Sequence, residues 1–255
     1  MKRFFRIFIV IVASFLFVET LHAKTLYAID ALIIATEEYP PYEYKEDGVL
    51  KGLDIEIIQA ASERLGIKVK VKFLPWARAM NNVRLGKNDA MFPMFRTSER
   101  EKFLYFTTEH LGHEKNILIT NKESTRQARS LEDLAGWEIG IVRDNSYGKE
   151  FDEYKNIQRH EVTNIKQLIK MAAIGNRFDA ATVNELVFAY IVKELGMAGR
   201  FKKLDFVVTN QPLYIGFSKA KGKSHKQLAE DYSRVLKQLR EEGVIENIIQ
   251  KYTSF

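Results

Sequence analysis

The chain has 255 residues, 46% of them apolar and 12% aromatic, enough for one large domain or two lobes with a proper core. It has no cysteine, so the fold rests on its core and not on disulfides. Its formal charge of +6 is spread along the chain and not clustered with aromatics, which speaks against nucleic acid as a partner.

Residues 1–23 read as a signal peptide. Lys2, Arg3 and Arg6 form a positive start, Ile7 to Val18 is almost wholly apolar, and Leu21-His22-Ala23 ends in the small residue that a signal peptidase needs. The apolar core is short for a membrane span. Cleavage near Ala23 removes three basic residues and Glu19, lowering the net charge by two. The mature chain is expected to be free in the periplasm, without a lipid anchor.

Ala31 to Thr36 is a strand-like apolar run that opens into Glu37-Glu38-Tyr39-Pro40-Pro41-Tyr42-Glu43-Tyr44, a stiff aromatic loop. Tyr39 and Tyr42 are candidates to stack on a ligand, or else to cover the first helix. Leu53, Ile57, Ile58, Ala61 and Leu65 recur at helical spacing up to Gly66. Val69 to Leu74 alternates as a strand, and Pro75 can start a helix whose apolar stripe is Trp76, Ala79, Met80 and Val83. Arg78 lies on its first turn, where it could reach the same crevice as the arginine stretch, and Trp76, besides a core role, is a candidate aromatic wall with Tyr39 and Tyr42.

Asp89 to Phe92 is a compact apolar run expected to be a central strand that ends at Pro93, which has no N–H for a ladder. Phe95, Arg96, Thr97 and Arg100 follow, at the strand end where open α/β sheets bind ligands. Arginine suits a carboxylate or phosphate. Phe103 to Thr108 reads as extended, and Lys115 to Thr120 as a strand. His110-x-x-His113-Glu114 has the spacing of one helical turn, but Gly112 and the strand context argue against a metal. Asn121 to Arg129 is polar and turn-like.

A second half-unit begins with a turn at Leu131–Gly136 and a strand at Trp137–Val142. Asn145 or Ser146, before Tyr147, can cap a helix and so make an anion site. Asn164 caps a further helix that stops at Gly175. Gly86-Lys87-Asn88-Asp89-Ala90 and Gly175-Asn176-Arg177-Phe178-Asp179-Ala180 echo each other: each follows an amphipathic helix and leads into a short buried run. Two similar halves with a cleft between them are expected. Asn184 and Glu185 then mirror the arginine loop. Leu186–Leu195 is helical, Leu213–Ser218 is a late strand, and the chain ends in two helices divided at Gly243.

Tyr39-Pro40-Pro41-Tyr42, Gly52-Leu53-Asp54-Ile55, Gly86 to Ala90, Thr97-Ser98-Glu99-Arg100 with Phe106-Thr107, and Phe178-Asp179-Ala180-Ala181, in this order, resemble the bacterial family 3 solute-binding proteins. The resemblance covers roughly residues 29 to 253. It implies an α/β, two-lobed type II periplasmic binding protein fold, each lobe an open mixed sheet flanked by helices. Residues 24–118 and 216–255 would form lobe 1 and residues 119–215 lobe 2. Hinges would fall near Leu118–Asn121 and Leu213–Ser218. The resemblance also implies that Arg100 binds a ligand carboxylate and Tyr39 walls its side chain, with Ser146 and its helix end closing from lobe 2.

Three places depart from the family pattern. Pro93-Met94-Phe95-Arg96 stands where small hydroxyl residues are usual. Asn184 stands at the ammonium-binding acid, with Glu185 beside it. Asp144-Asn145-Ser146-Tyr147 replaces a glycine-threonine anchor. An anionic ligand without an amine, or an unusual amino acid, therefore stays open. The expected function is capture of an amino acid or related carboxylate for an ABC-type importer, by a monomer without cofactor or metal. The alternatives are an enzyme resembling cyclohexadienyl dehydratases, with Glu185 as general acid, and a partner that presents its ligand to a membrane sensor.

Overall fold

The computed structural model describes residues 31–143 and 145–253; residues 1–23, which the sequence reads as a signal peptide, lie outside them. In chain order β1 (Leu32–Thr36) leads through the tyrosine loop to a hairpin of β2 (Tyr44–Glu46) and β3 (Val49–Lys51). Helix α1 (Leu53–Leu65) follows. Ile55, Ile57, Ile58 and Ala61 on it are wholly buried, each large side chain contributing about 1.5–3 kcal/mol. Gly66 takes φ 67° and closes the helix, its N–H donating to the Glu63 carbonyl.

β4 (Val69–Phe73) and α2 (Trp76–Arg84), entered through Pro75, lead to β5 (Ala90–Met94), the four-residue helix α3 (Ser98–Glu101) and β6 (Leu104–Phe106). β7 (Gly112–Asn121) leaves for the second half. There a 3-10 turn at Glu132–Leu134 precedes β8 (Glu138–Val142), α4 (Lys149–Glu153), β9 (Gln158–Val162), α5 (Ile165–Ile174), β10 (Ala180–Asn184) and α6 (Glu185–Glu194). β11 (Phe201–Ser218) returns, and α7 (Lys223–Glu241) and α8 (Val244–Thr253) close the chain.

The sheet order is β4-β1-β5-β11-β7-β10-β8-β9, with β6 paired to β11. Read from either end it is the same construction. β1 lies between parallel neighbours β4 and β5, as β8 lies between β9 and β10. The antiparallel pair β11 and β7 stands in the middle. The echo in the sequence is the same device used twice. The Asp89 carboxylate accepts from the Ile33 N–H at 2.8 Å, and its own N–H donates to the Ile33 carbonyl at 2.8 Å. The Asp179 carboxylate accepts from the Glu138 N–H at 2.9 Å, and its N–H donates to the Glu138 carbonyl at 2.8 Å. Each aspartate ties the start of one parallel strand to its neighbour.

The connection between the halves is two strands wide. β7 and β11 pair from Gly112↔Leu213 to Asn121↔Phe201. β10 joins β7 at Asn116–Ile119, and β5 and β6 join β11 at Tyr214–Ser218. Leu118 thus pairs within the second half, opposite Thr182.

Four local expectations change. β5 runs through Pro93 to Met94, because the pairing with β11 shifts register between Tyr214 and Gly216, where a residue without an N–H is tolerated. β11 has 18 residues, since its first part, of mixed polarity, pairs with β7 instead of forming a loop. The β2–β3 hairpin and β9 were not expected, being short and polar. Helix α4 has Gly148 before it and no side-chain cap; Ser146 Oγ instead donates to Asp152 Oδ2 at 2.6 Å.

Candidate functional site

The first wall is the tyrosine loop. Leu53 and Asp54 at the start of α1 donate their N–H groups to the carbonyls of Pro41 and Tyr42, both at 3.0 Å. This contact requires Gly52, which has φ 127°; a Cβ there would lie 2.2 Å from the Tyr42 carbonyl oxygen. The loop so fixed stacks the rings of Tyr39 and Tyr42, with centroids 5.8 Å apart and planes at 8°. Tyr42 is buried and reaches the other half: its Oη lies 3.3 Å from both Oδ1 and Nδ2 of Asn184. Tyr44 also meets Tyr190 across the halves, with centroids 6.1 Å apart.

The arginine loop forms the second wall. Thr97 caps α3, its Oγ1 accepting from the Arg100 N–H at 3.3 Å. The Arg100 guanidinium is half-buried, donates to the Phe95 carbonyl at 2.7 Å and lies 5.3 Å over the Trp76 ring. Burial draws its pKa down. No carboxylate pairs with it among the described residues. Phe95 therefore serves through its carbonyl and Trp76 through its ring face. Arg96 is exposed and ion-paired to Glu101 at 2.5 Å, and Arg78 is exposed on α2.

From the second half come Tyr147 and Asn184. The Tyr147 hydroxyl accepts from the Val142 N–H at 2.9 Å, and burial pushes its pKa up to about 12. Its carbonyl accepts from Thr209 Oγ1 on β11. Asn145 and Ser146 are exposed. Asn184 caps α6, its Oδ1 accepting from the N–H groups of Leu186 and Val187 at 3.0 and 3.1 Å. Glu185 is paired with both Lys115 and Lys203. Burial alone would raise its pKa, but these two lysines outweigh it and hold the carboxyl below its ordinary value.

A group of acids lies under the tyrosine wall. Burial raises the pKa of Glu43, Asp54 and Glu114, and each feels at least one other acid of the group that includes Glu37. Glu43 and Asp54 are each 1% exposed, and Glu43 Oε2 and Asp54 Oδ2 have no hydrogen-bond partner. Glu114 stands on β7, where the two halves meet, with its Oε1 3.4 Å from Asn116 Nδ2. Its charge also acts on the phenols of Tyr39, Tyr42 and Tyr147. Sequence reading missed this floor. Asp54 could have been noticed, since it shares the apolar face of α1 with Ile57 and Ile58. Glu114 was considered only as part of a histidine pair. The rings of His110 and His113 are 4.6 Å apart, and no group of three metal-ligating side chains occurs among the described residues.

A cavity of about 460 Å³ opens at the same junction, bordered by Tyr42 and Leu53, by His113 and Asn210 of the connecting strands, and by Glu185 and Leu186. A larger depression of about 610 Å³, at the outer edge of α1 and β4, touches none of the candidate residues.

The model of the bacterial extracellular solute-binding proteins, family 3, matches residues 32–255. The probable amino-acid-binding protein YxeM of Bacillus subtilis is 26% identical over 223 residues, 86% of this chain and 81% of the relative. The arginine-binding extracellular protein ArtP of the same organism is 25% identical over 238 residues, 87% and 85% of the two chains. Among solved structures, the probable amino-acid ABC transporter extracellular-binding protein ytmK of Bacillus subtilis superposes with a TM-score of 0.74 at 18% identity, over 88% of this chain and 98% of that one. The substrate-binding protein AbpA of Streptococcus pneumoniae, bound to L-arginine, gives 0.68 at 22% identity, over 87% and 94%. Mirrored half-sheets, two connecting strands and a junction lined from both sides thus agree with the profile match over the described fold, and the chain belongs to the bacterial extracellular solute-binding proteins, family 3.

Proposed function

We propose that this protein captures an amino acid or related small carboxylate between its two halves and delivers it, outside the cytoplasm, to the membrane permease of an ABC importer. The observation that carries the reading is the state of Arg100. A half-buried guanidinium with a carbonyl and a ring face for neighbours, and no acid paired with it among the described residues, is a receptor for an incoming carboxylate. Tyr39 and Tyr42 wall the ligand from the first half, and Tyr147 and Asn184 from the second. The names of the relatives support the amino-acid class.

The lobes divide at the paired segments 112–115 and 210–213, where β7 and β11 have each other as strand partners and the sheets on either side fall away. Twisting this two-stranded ribbon opens and closes the cleft. The chain acts as a monomer and binds without turning its ligand over. Glu185, held ionised by two lysines, has no proton to give at neutral pH.

The test is thermal unfolding of the mature protein against a panel of amino acids, dicarboxylates and other small anions. A ligand at about a hundred times its Kd adds roughly 2.7 kcal/mol, a shift of several degrees for this chain length. One compound that shifts the wild type and not Arg100→Met supports the reading. A panel that shifts neither protein overturns it.

A further inference from the structure

The cavity of about 460 Å³ at the junction is not the space that Arg100 and its neighbours wall. Side chains alternate between the two faces of a strand, and the ribbon of β7 and β11 shows which residue belongs to which face. On one face Asn116 Nδ2 lies 3.4 Å from Glu114 Oε1 and 3.3 Å from Thr209 Oγ1, and Thr209 Oγ1 donates to the Tyr147 carbonyl. That is the face Tyr147 shares. His113, Lys115 and Asn210 hold the alternate positions, with Lys115 opposite Asn210 in the register, and these three border the cavity. Tyr42 borders it as well, but Tyr39, Trp76, Arg100 and Tyr147 do not.

The lining is divided by chemistry. Tyr42, Leu53 and Leu186 are buried and Ala189 and Ile249 half-buried, so both halves contribute apolar walls. The polar side is cationic. Lys115 and Arg240 border it with one carboxylate, Glu185, which is already shared between Lys115 at 2.9 Å and Lys203. His110 lies against Arg240, its Nδ1 3.3 Å from the guanidinium, and the His113 ring stands 4.6 Å from the His110 ring between centroids. Arg240 also donates to the His110 carbonyl at 2.7 Å. Its acids, Glu246 at 3.3 Å and Glu109 at 4.0 Å, do not border the cavity, and its Nε has no hydrogen-bond acceptor. Apolar walls facing a cationic lip fit an anion with an apolar body. The volume falls within the range of small-molecule pockets, about 300–1,000 Å³.

We propose that the face of the connecting ribbon turned away from Tyr147 carries a second binding site, for a small monocarboxylate with an apolar body. The carboxylate lies toward Arg240 and His110. The body lies between Leu53 of the first half and Leu186 and Ala189 of the second. Such an occupant touches both halves and the two strands that join them.

The experiment is isothermal titration of the mature protein with phenylacetate and with its neutral isostere phenylacetamide, for the wild type, Arg100→Met, Ala189→Phe and Arg240→Gln. Phenylacetate is expected to bind the wild type at one site, at least tenfold more tightly than the amide. It should bind Arg100→Met equally well, which separates this cavity from the cleft. Ala189→Phe, which fills the cavity from α6, and Arg240→Gln, which removes its cation, should each weaken phenylacetate by tenfold or more. The wild type and Arg100→Met decide even where a cavity variant fails to fold. No heat with phenylacetate at millimolar concentration, equal affinity for acid and amide, or full affinity in a folded Ala189→Phe overturns the inference. Binding lost in Arg100→Met also overturns it, and places the probe in the cleft, in favour of the binding reading above.

Discussion

Single residues here divide into those whose charge is answered and those whose charge is not. Asp89 is the first kind. Burial would raise its pKa, but His225 at 3.0 Å, the Ile33 N–H and Lys221 at 3.1 Å outweigh it and bring it to about 2. A carboxyl lowered from 3.8 stabilises the fold above pH 4, and that contribution fades as pH falls through 2. Asp89→Asn is expected to lose up to about 2 kcal/mol at pH 6, with the gap to wild type narrowing below pH 4 in denaturant melts. A constant gap down to pH 2 would contradict the pairing. Asp54 is the second kind. Burial and Glu114 raise its pKa, so folding favours the protonated form and stability falls as pH rises above the ordinary carboxylate range. Asp54→Asn should raise the Tm at pH 8 by more than at pH 5. A variant that melts lower at both would show that the carboxylate itself holds the helix start.

Elements were legible where one physical signal dominated. The stripe of α1 and the stop at Gly66, the Asn164 cap of α5 and the stop at Gly175 all stand where the sequence places them. Asn164 Oδ1 accepts from the Gln167 N–H at 2.9 Å, and Asn164→Ala should cost about 1 kcal/mol in chemical denaturation. Gly52→Ala should cost more, because the new Cβ meets the Tyr42 carbonyl at 2.2 Å and the backbone stands at φ 127°. Its ligand affinity should fall together with its Tm, since the same contact aims the tyrosines. Elements failed to show where pairing, not side-chain pattern, makes the strand. Residues 201–212 mix polar and apolar side chains without a regular alternation and are a strand because β7 lies beside them. The site was half legible for the same reason. Arg100, on the short helix after β5, and the tyrosines, on the loop after β1, lie next to their strands, whereas the acids meet only after Glu43, Asp54 and Glu114 are brought together from a loop, a helix and a connecting strand.

The whole molecule is a mirrored sheet joined by two strands, and the halves also meet through the ring pair Tyr44–Tyr190 and through Tyr42 and Asn184. Tyr42 to Asn184 is a pair of 3.3 Å contacts, each worth about 0.5–1.5 kcal/mol net. Such a contact can be made and broken while the half-sheets stay whole, so small-angle scattering should show Tyr42→Phe more extended than wild type without ligand and equally compact with it. Equal profiles without ligand would mean that other contacts hold the halves together. The same topology sets an order in time. Residues 31–111 lack their closing strand until residue 218 has been made, because β5 and β6 both lie against the end of β11. Residues 112–213 already contain β7 to β10 and the matching length of β11. A chain that emerges with its N-terminus first therefore completes its later-made half before its earlier one, and the first half waits, open along β5, for the end of the chain to arrive.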